Sequence, residues 1–200
     1  MPSSPDTTLL SREQLLAIIR IQTEIAKLGL DLAQVMALVV VKSLDLISAD
    51  GAVIELAELD EMVYRAVSGI AEGQLGLRLK LSSSMSGLCV VTGDIQNCRD
   101  TESDVRVDRK ACQRMGIRSM LAVPLKYADS NVGVLKVMSK TPNSFNATDE
   151  AMLGLLAEVL GADMFFAAKY AENDLFHRAT HDQMTGLANR ALFFDRFRNA

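Results

Sequence analysis

Two hundred residues accommodate one sizeable domain with extensions, and 49% hydrophobic against 23% charged residues is a globular balance that excludes wholesale disorder. With 21 Lys and Arg against 25 Asp and Glu the formal net charge is −4. The basic residues are scattered, and aromatics make up 5% with no Trp. Neither nucleic acid nor an anionic membrane surface is expected as a partner.

In chain order, residues 1–10 are polar and proline-bearing, and are expected to be frayed. MPSSPDTT lacks the basic start and apolar core of a signal peptide. No apolar run approaches the 18 residues of a membrane span, the densest being Val35 to Val41. Cys89, Cys98 and Cys112 are an odd number with no CxxC pair, read as reduced thiols of a cytoplasmic protein. Well-separated Cys and His give no metal site.

Ser11 with Gln14 forms a capping-box pattern. Leu15, Ile18, Ile19, Gln22, Ile25 and Leu28 then follow helical spacing to Gly29. Asp31 with Gln34 caps a second helix, apolar nearly all round through Val35, Leu38, Val39 and Val41 to Leu46, which predicts that it is buried. Ala52 to Leu56 and Met62 to Val67 read as a hairpin about Leu59-Asp60-Glu61. Ser82 to Ser84 stand before a short helix through Val91, stopped by Gly93. Ile95 to Cys98 reads as a strand. A charged irregular stretch, Arg99 to Asp108, leads to a short helix ended by Gly116. Ser119 to Leu125 and Asn131 to Met138 form a second hairpin. After Phe145, with Asn146 or Thr148 as cap, a last helix carries more than one apolar stripe, then narrows to Ala171, Leu175 and Ala179. Such a stripe suits pairing with a second copy. A helix running to about His181 is on the order of 50 Å long and must protrude from a small domain. Periodicity therefore predicts an α+β domain, with antiparallel hairpins forming the sheet and the terminal helices covering one face.

GLCVVTGDIQNC (Gly87 to Cys98), ESDVRVDRKACQRMGIRSMLAVPL (Glu102 to Leu125) and Gly133-Val134-Leu135 occur in the order and separation found in GAF domains. Residues from about 15 to 170 resemble that sensory family. The resemblance implies a GAF/PAS-like antiparallel sheet of about six strands, with N- and C-terminal helices on one face and a long connector helix. It divides the chain into a GAF domain over 11–168 and a signalling helix over 169–181. It also implies an unidentified small-molecule ligand near Ser84, Ser86, Asp100, Asp104, Arg109 and Arg118. The alternative reading of those serines is helix capping, and of the acidic and basic residues a solvated loop; the whole domain would then be a ligand-free GAF dimerisation scaffold with an empty pocket. Lys140, Phe145, Asp149 and Glu150 are similar to a signature of cyclic-nucleotide-regulated members, with Ser139 in place of its Asn. A Lys140–Asp149 pair there would pin the strand-to-helix corner. Cys89, two residues after Gly87, loosely resembles free methionine-R-sulfoxide reductases, whose cysteines do thiol chemistry. No bilin attachment motif is present.

HDQMTGLANR (His181 to Arg190) followed by ALFFDRF resembles the opening of a GGDEF domain, the catalytic domain of diguanylate cyclases. Asp182, Thr185, Gly186, Leu187, Asn189 and Arg190 match, and residues 182–200 are read as the start of that domain. The resemblance implies a regulatory fragment that forms a parallel homodimer, with a cyclase in cis that would use GTP and Mg. The fragment carries neither the GGDEF loop nor its metal-binding carboxylates. It is expected to be non-catalytic, because phosphoryl transfer needs both.

Overall fold

A computed structural model describes residues 7–127 and 130–180, with side chains as far as Met164. A 3-10 turn at Thr7–Leu9 already orders part of the segment expected to fray. Helix α1 (Arg12–Leu28) opens on the anticipated capping box. The Ser11 hydroxyl accepts from the Gln14 amide at 3.2 Å, and the Gln14 side chain accepts from the Ser11 amide at 2.9 Å. Its buried stripe is Ile18, Ile21 and Ile25, while Ile19 is 53% exposed. The segment holds two overlapping apolar stripes, and packing selected the one containing Ile21. Helix α2 (Leu32–Ile47) starts at Asp31. It is not covered all round: Val35, Met36, Val39, Val40 and Ile47 are buried, whereas Val41 is 51% exposed. Its partners lie on one side only.

Strands β1 (Gly51–Glu58) and β2 (Glu61–Gly69) make the first hairpin, with Leu59 at φ 57° in its two-residue turn. A short edge strand β3 (Arg78–Lys80), absent from the sequence reading, adds to β2. Three residues with exposed ends give no alternation to read, and pairing alone defines them. Helix α3 (Met85–Thr92), strand β4 (Gln96–Cys98) and helix α4 (Arg109–Met115) lie where anticipated. So do β5 (Ser119–Tyr127) and β6 (Ser130–Ser139). All pairings are antiparallel, and the order is β3-β2-β1-β6-β5-β4.

The sheet separates two cores. On one face α1, α2 and α5 bury Ile25, Val39, Leu121, Leu153, Leu156 and Leu160. Each such side chain contributes about 1.5–3 kcal/mol by leaving water. On the other face, under α3 and α4, lie Val53, Met62, Tyr64, Met85, Ile117 and Met138. The register breaks between Ile54, paired with Ala66, and Glu55, paired with Tyr64. The extra residue, Arg65, is a bulge that resets the alternation of β2, so that Tyr64 faces one core and Ala66 the other.

Helix α5 (Ala147–Thr180, 34 residues) is on the order of 50 Å long. Its start is a reciprocal cap. The Asn146 side chain accepts from the Thr148 amide at 2.7 Å, and the Asp149 carboxylate accepts from the Asn146 amide at 2.8 Å. This corrects the expected Lys140–Asp149 pair, since no ion pair among the described residues joins them. The start of the corner is held by the Asp50 carboxylate instead, which accepts from the Lys140 backbone amide at 2.8 Å and from the Ser139 hydroxyl at 3.0 Å. Phe145 is buried in the helical core. Gly161 lets α5 press onto β5, because a Cβ there would lie 2.3 Å from the Lys126 carbonyl oxygen. Leu175 and Ala179 fall on α5 beyond the described side chains, and the 182–190 motif lies outside the described residues.

Candidate functional site

The face opposite the long helices holds a cavity of about 210 Å³ between β2, β5, β6, α3 and α4. Helix α3 forms one wall. Ser84 is its N-cap, accepting from the Gly87 amide at 3.0 Å. Gly87 is required for close approach: a Cβ would sit 1.8 Å from the Leu81 carbonyl oxygen. The helix is thereby seated with Ser86, 1% exposed, pointing at the sheet.

Beneath Ser86 is a charged cluster inside the apolar core. Lys136 of β6 and Glu55 of β1 are a diagonal cross-strand pair, since Glu55 stands opposite Val134. Their ammonium and carboxylate are 2.5 Å apart, with side-chain exposures of 5% and 0%. Lys136 also donates to the Tyr64 hydroxyl at 3.0 Å and to the Ser86 hydroxyl at 3.3 Å, which uses its three N–H groups. Ser86 in turn donates to Glu55 Oε1 at 2.8 Å. Glu55 Oε2 is buried without a partner. The Lys136 ammonium also lies 5.0 Å from the Tyr64 ring centroid. Burial alone would push Lys136 down, but the Glu55 carboxylate beside it holds it above the ordinary lysine value. Burial pushes the Tyr64 phenol up. Both stay protonated near neutrality. Tyr64, Ser86 and Lys136 all face the cavity, whose other walls include Met85, Met115, Ile117, Met120 and Met138.

The charged stretch 99–108 closes one side and is largely engaged with itself. Arg118 grips Asp100 with two nitrogens at 3.0–3.2 Å, holding that carboxyl below its ordinary range. Arg106 binds Asp104 at 2.6 Å, Gln96 at 2.7 Å and the Asn97 carbonyl at 2.8 Å. The Arg106 guanidinium brings the Asp104 carboxyl down to about 2. Arg109 pairs with Glu102, and Asp108 caps α4 by accepting from the Ala111 amide at 3.0 Å.

Of the six residues assigned to the ligand, the structure brings only Ser84 and Ser86 to the cavity; Asp100, Asp104, Arg109 and Arg118 instead tie the loop. Lys136, Tyr64 and Glu55 are not among the residues expected from the sequence. For Glu55 and Lys136 the chain does carry a signal, since a lone charge within an apolar strand, as in AVIELAE and VLKVM, requires a buried partner.

The cysteines are all buried and free. Burial pushes the Cys89 and Cys98 thiols up to about 12 and raises Cys112 as well. The nucleophilic thiolate is therefore scarce near neutrality. Among the described residues no cluster of three His, Cys, Asp or Glu side chains is placed for a metal ion, and no helix is long and apolar enough to cross a membrane.

Residues 29–162 match the family model for the GAF domain. The GAF domain of an Acinetobacter phosphoenolpyruvate-protein phosphotransferase superposes with a TM-score of 0.71 at 25% identity, over 82% of this chain and 99% of that one. A free methionine-R-sulfoxide reductase from Neisseria meningitidis, solved with its substrate, gives 0.69 at 22% identity over 81% and 95%. A phycoerythrobilin-bound GAF domain from a cyanobacterial phytochrome gives 0.66 at 16% over 81% and 100%. The last two share the fold. No curated protein matches the chain.

Proposed function

This chain belongs to the GAF family of sensory and regulatory domains, and on that footing we propose that it senses a small molecule in the α3–α4 cavity and passes the bound state along α5 to a diguanylate cyclase. The observation that carries the sensing step is the cavity itself. It is lined by an apolar wall and floored by Lys136, Tyr64 and Ser86, a few oriented polar groups in an otherwise oily pocket. Support for the output step is the length of α5 and the HDQMTGLANR motif that follows it. A ligand that binds one arrangement of the loop and α3 better than another shifts the population by its differential affinity. In a parallel dimer, α5 would set the placement of two cyclase domains, each holding one GTP, and so their rate. The exposed apolar residues Leu16 and Ile19 of α1 favour such a dimer.

Native mass spectrometry of the freshly purified chain, then amide exchange of loaded and stripped forms, tests the sensing step. The expected result is a retained or added small molecule that slows exchange in α3, the 99–108 loop and α5. Unchanged exchange in α5 refutes transmission. Sedimentation of the chain, with Leu175→Asp as the perturbed form, tests the dimer, and a monomeric wild type at high micromolar concentration refutes it. Residues 1–200 alone are expected to make no cyclic di-GMP from GTP, and turnover by them overturns the assigned division of labour.

A further inference from the structure

The chemistry of the cavity narrows its occupant, given the sensing role proposed above. The Tyr64 oxygen accepts from Lys136, so the phenol proton points elsewhere, and no acceptor among the described residues receives it. Tyr64 is 4% exposed and lines the cavity. A buried donor of this kind requires an acceptor in the cavity. The charged side chains on the wall are Lys80, Arg106 and Lys136 against Asp108; the Asp108 carboxylate caps α4, and the Arg106 guanidinium is paired with Asp104, which does not line the cavity. Glu55 balances Lys136 from behind and does not line the cavity. The dipole of the pair therefore presents its positive end to the occupant. Around this polar floor, Leu79, Met85, Met115, Ile117, Met120 and Met138 offer adaptable apolar surface. We propose that the cavity binds a small organic monoanion, its carboxylate accepting from the Tyr64 hydroxyl beside the Lys136 ammonium and its compact apolar body packed among the methionines.

Two matched sets test this on the full chain by titration calorimetry: isocaproate, isocaproamide and isohexylamine, and benzoate, benzamide and benzylamine. In at least one set the acid is expected to bind tenfold or more tightly than its amide and amine. Tyr64→Phe is expected to weaken the acid about tenfold, the scale of one hydrogen bond to a charged group. Lys136→Met strands the Glu55 carboxylate, so the charge is tested in the neutral pair Glu55→Gln/Lys136→Met, which should bind acid and amide alike. An amide or amine that equals the acid in both sets, an acid indifferent to Tyr64→Phe, or no saturable binding of either acid at millimolar concentration overturns the assignment. The sensing role fails on a different result: the acid binds as expected and exchange in α5 does not change.

Discussion

Replacing Lys136 with Met is the most informative single perturbation of this domain. Met keeps the unbranched apolar stem to within one atom of its length and removes the charge and all three donors. Glu55 is fully buried, so water cannot reach its carboxylate. After the substitution Oε1 keeps only the Ser86 hydroxyl, and Oε2 still has no partner. Breaking one side of a buried ion pair costs about 3–5 kcal/mol, whereas replacing both sides with neutral groups is often close to neutral. For a domain of this size 1 kcal/mol corresponds to about 2–4 °C, so Lys136→Met should lower the melting temperature by on the order of 10 °C. Adding Glu55→Gln should restore most of that, leaving a coupling of about 2 kcal/mol or more between the two positions. Urea denaturation of the wild type, both single variants and the pair measures it. A single variant that loses less than about 1 kcal/mol, or a pair no more stable than Lys136→Met alone, would refute the reasoning.

Gly87→Ala drives a Cβ against the Leu81 carbonyl and should cost about 1–3 kcal/mol by forcing α3 off its seat, seen as a lower denaturation midpoint. In Arg106→Leu the Asp104 carboxyl should rise from about 2 toward its ordinary 3.8, read by carboxyl NMR titration. Because the folded value is the lower one, the pair stabilises the protein fully above about pH 4, and that contribution is lost as pH falls through about 2; the variant should show a weaker acid dependence there. Cys89 and Cys98 should resist a thiol reagent at pH 8 in the folded protein and react at once on unfolding, since burial holds both near 12. Rapid labelling of the native chain at either position would contradict their burial.

The local signals in this sequence were strong. Ser11, Asp31, Ser84 and Asp108 each cap the helix that follows, and Gly29, Gly93 and Gly116 end helices in positive φ. These depend on interactions within four residues, so they survive in any fold. The two hairpins likewise follow from alternation and turn residues. Fold class and the order of the helices and the two hairpins were therefore legible in the chain itself, the short edge strand β3 excepted, and the motifs over 87–135 were enough to identify the family resemblance.

What tertiary structure alone decided is which faces meet. Ile21 rather than Ile19 is buried, and the outer side of α2 is uncovered, because coverage depends on where α5 crosses. The loop charges were legible as charges, yet their partners were not. Asp100 finds Arg118 across 18 residues, and Arg106 reaches back to Gln96 and Asn97, leaving these groups engaged in closing the loop. The polar floor of the cavity is more distant still. Glu55, Tyr64, Ser86 and Lys136 come from four elements and meet only because β1 lies between β2 and β6 while α3 packs beneath them. Only the pairing of the sheet converts two isolated charges on apolar strands into one buried ion pair, with the Tyr64 and Ser86 hydroxyls held against it.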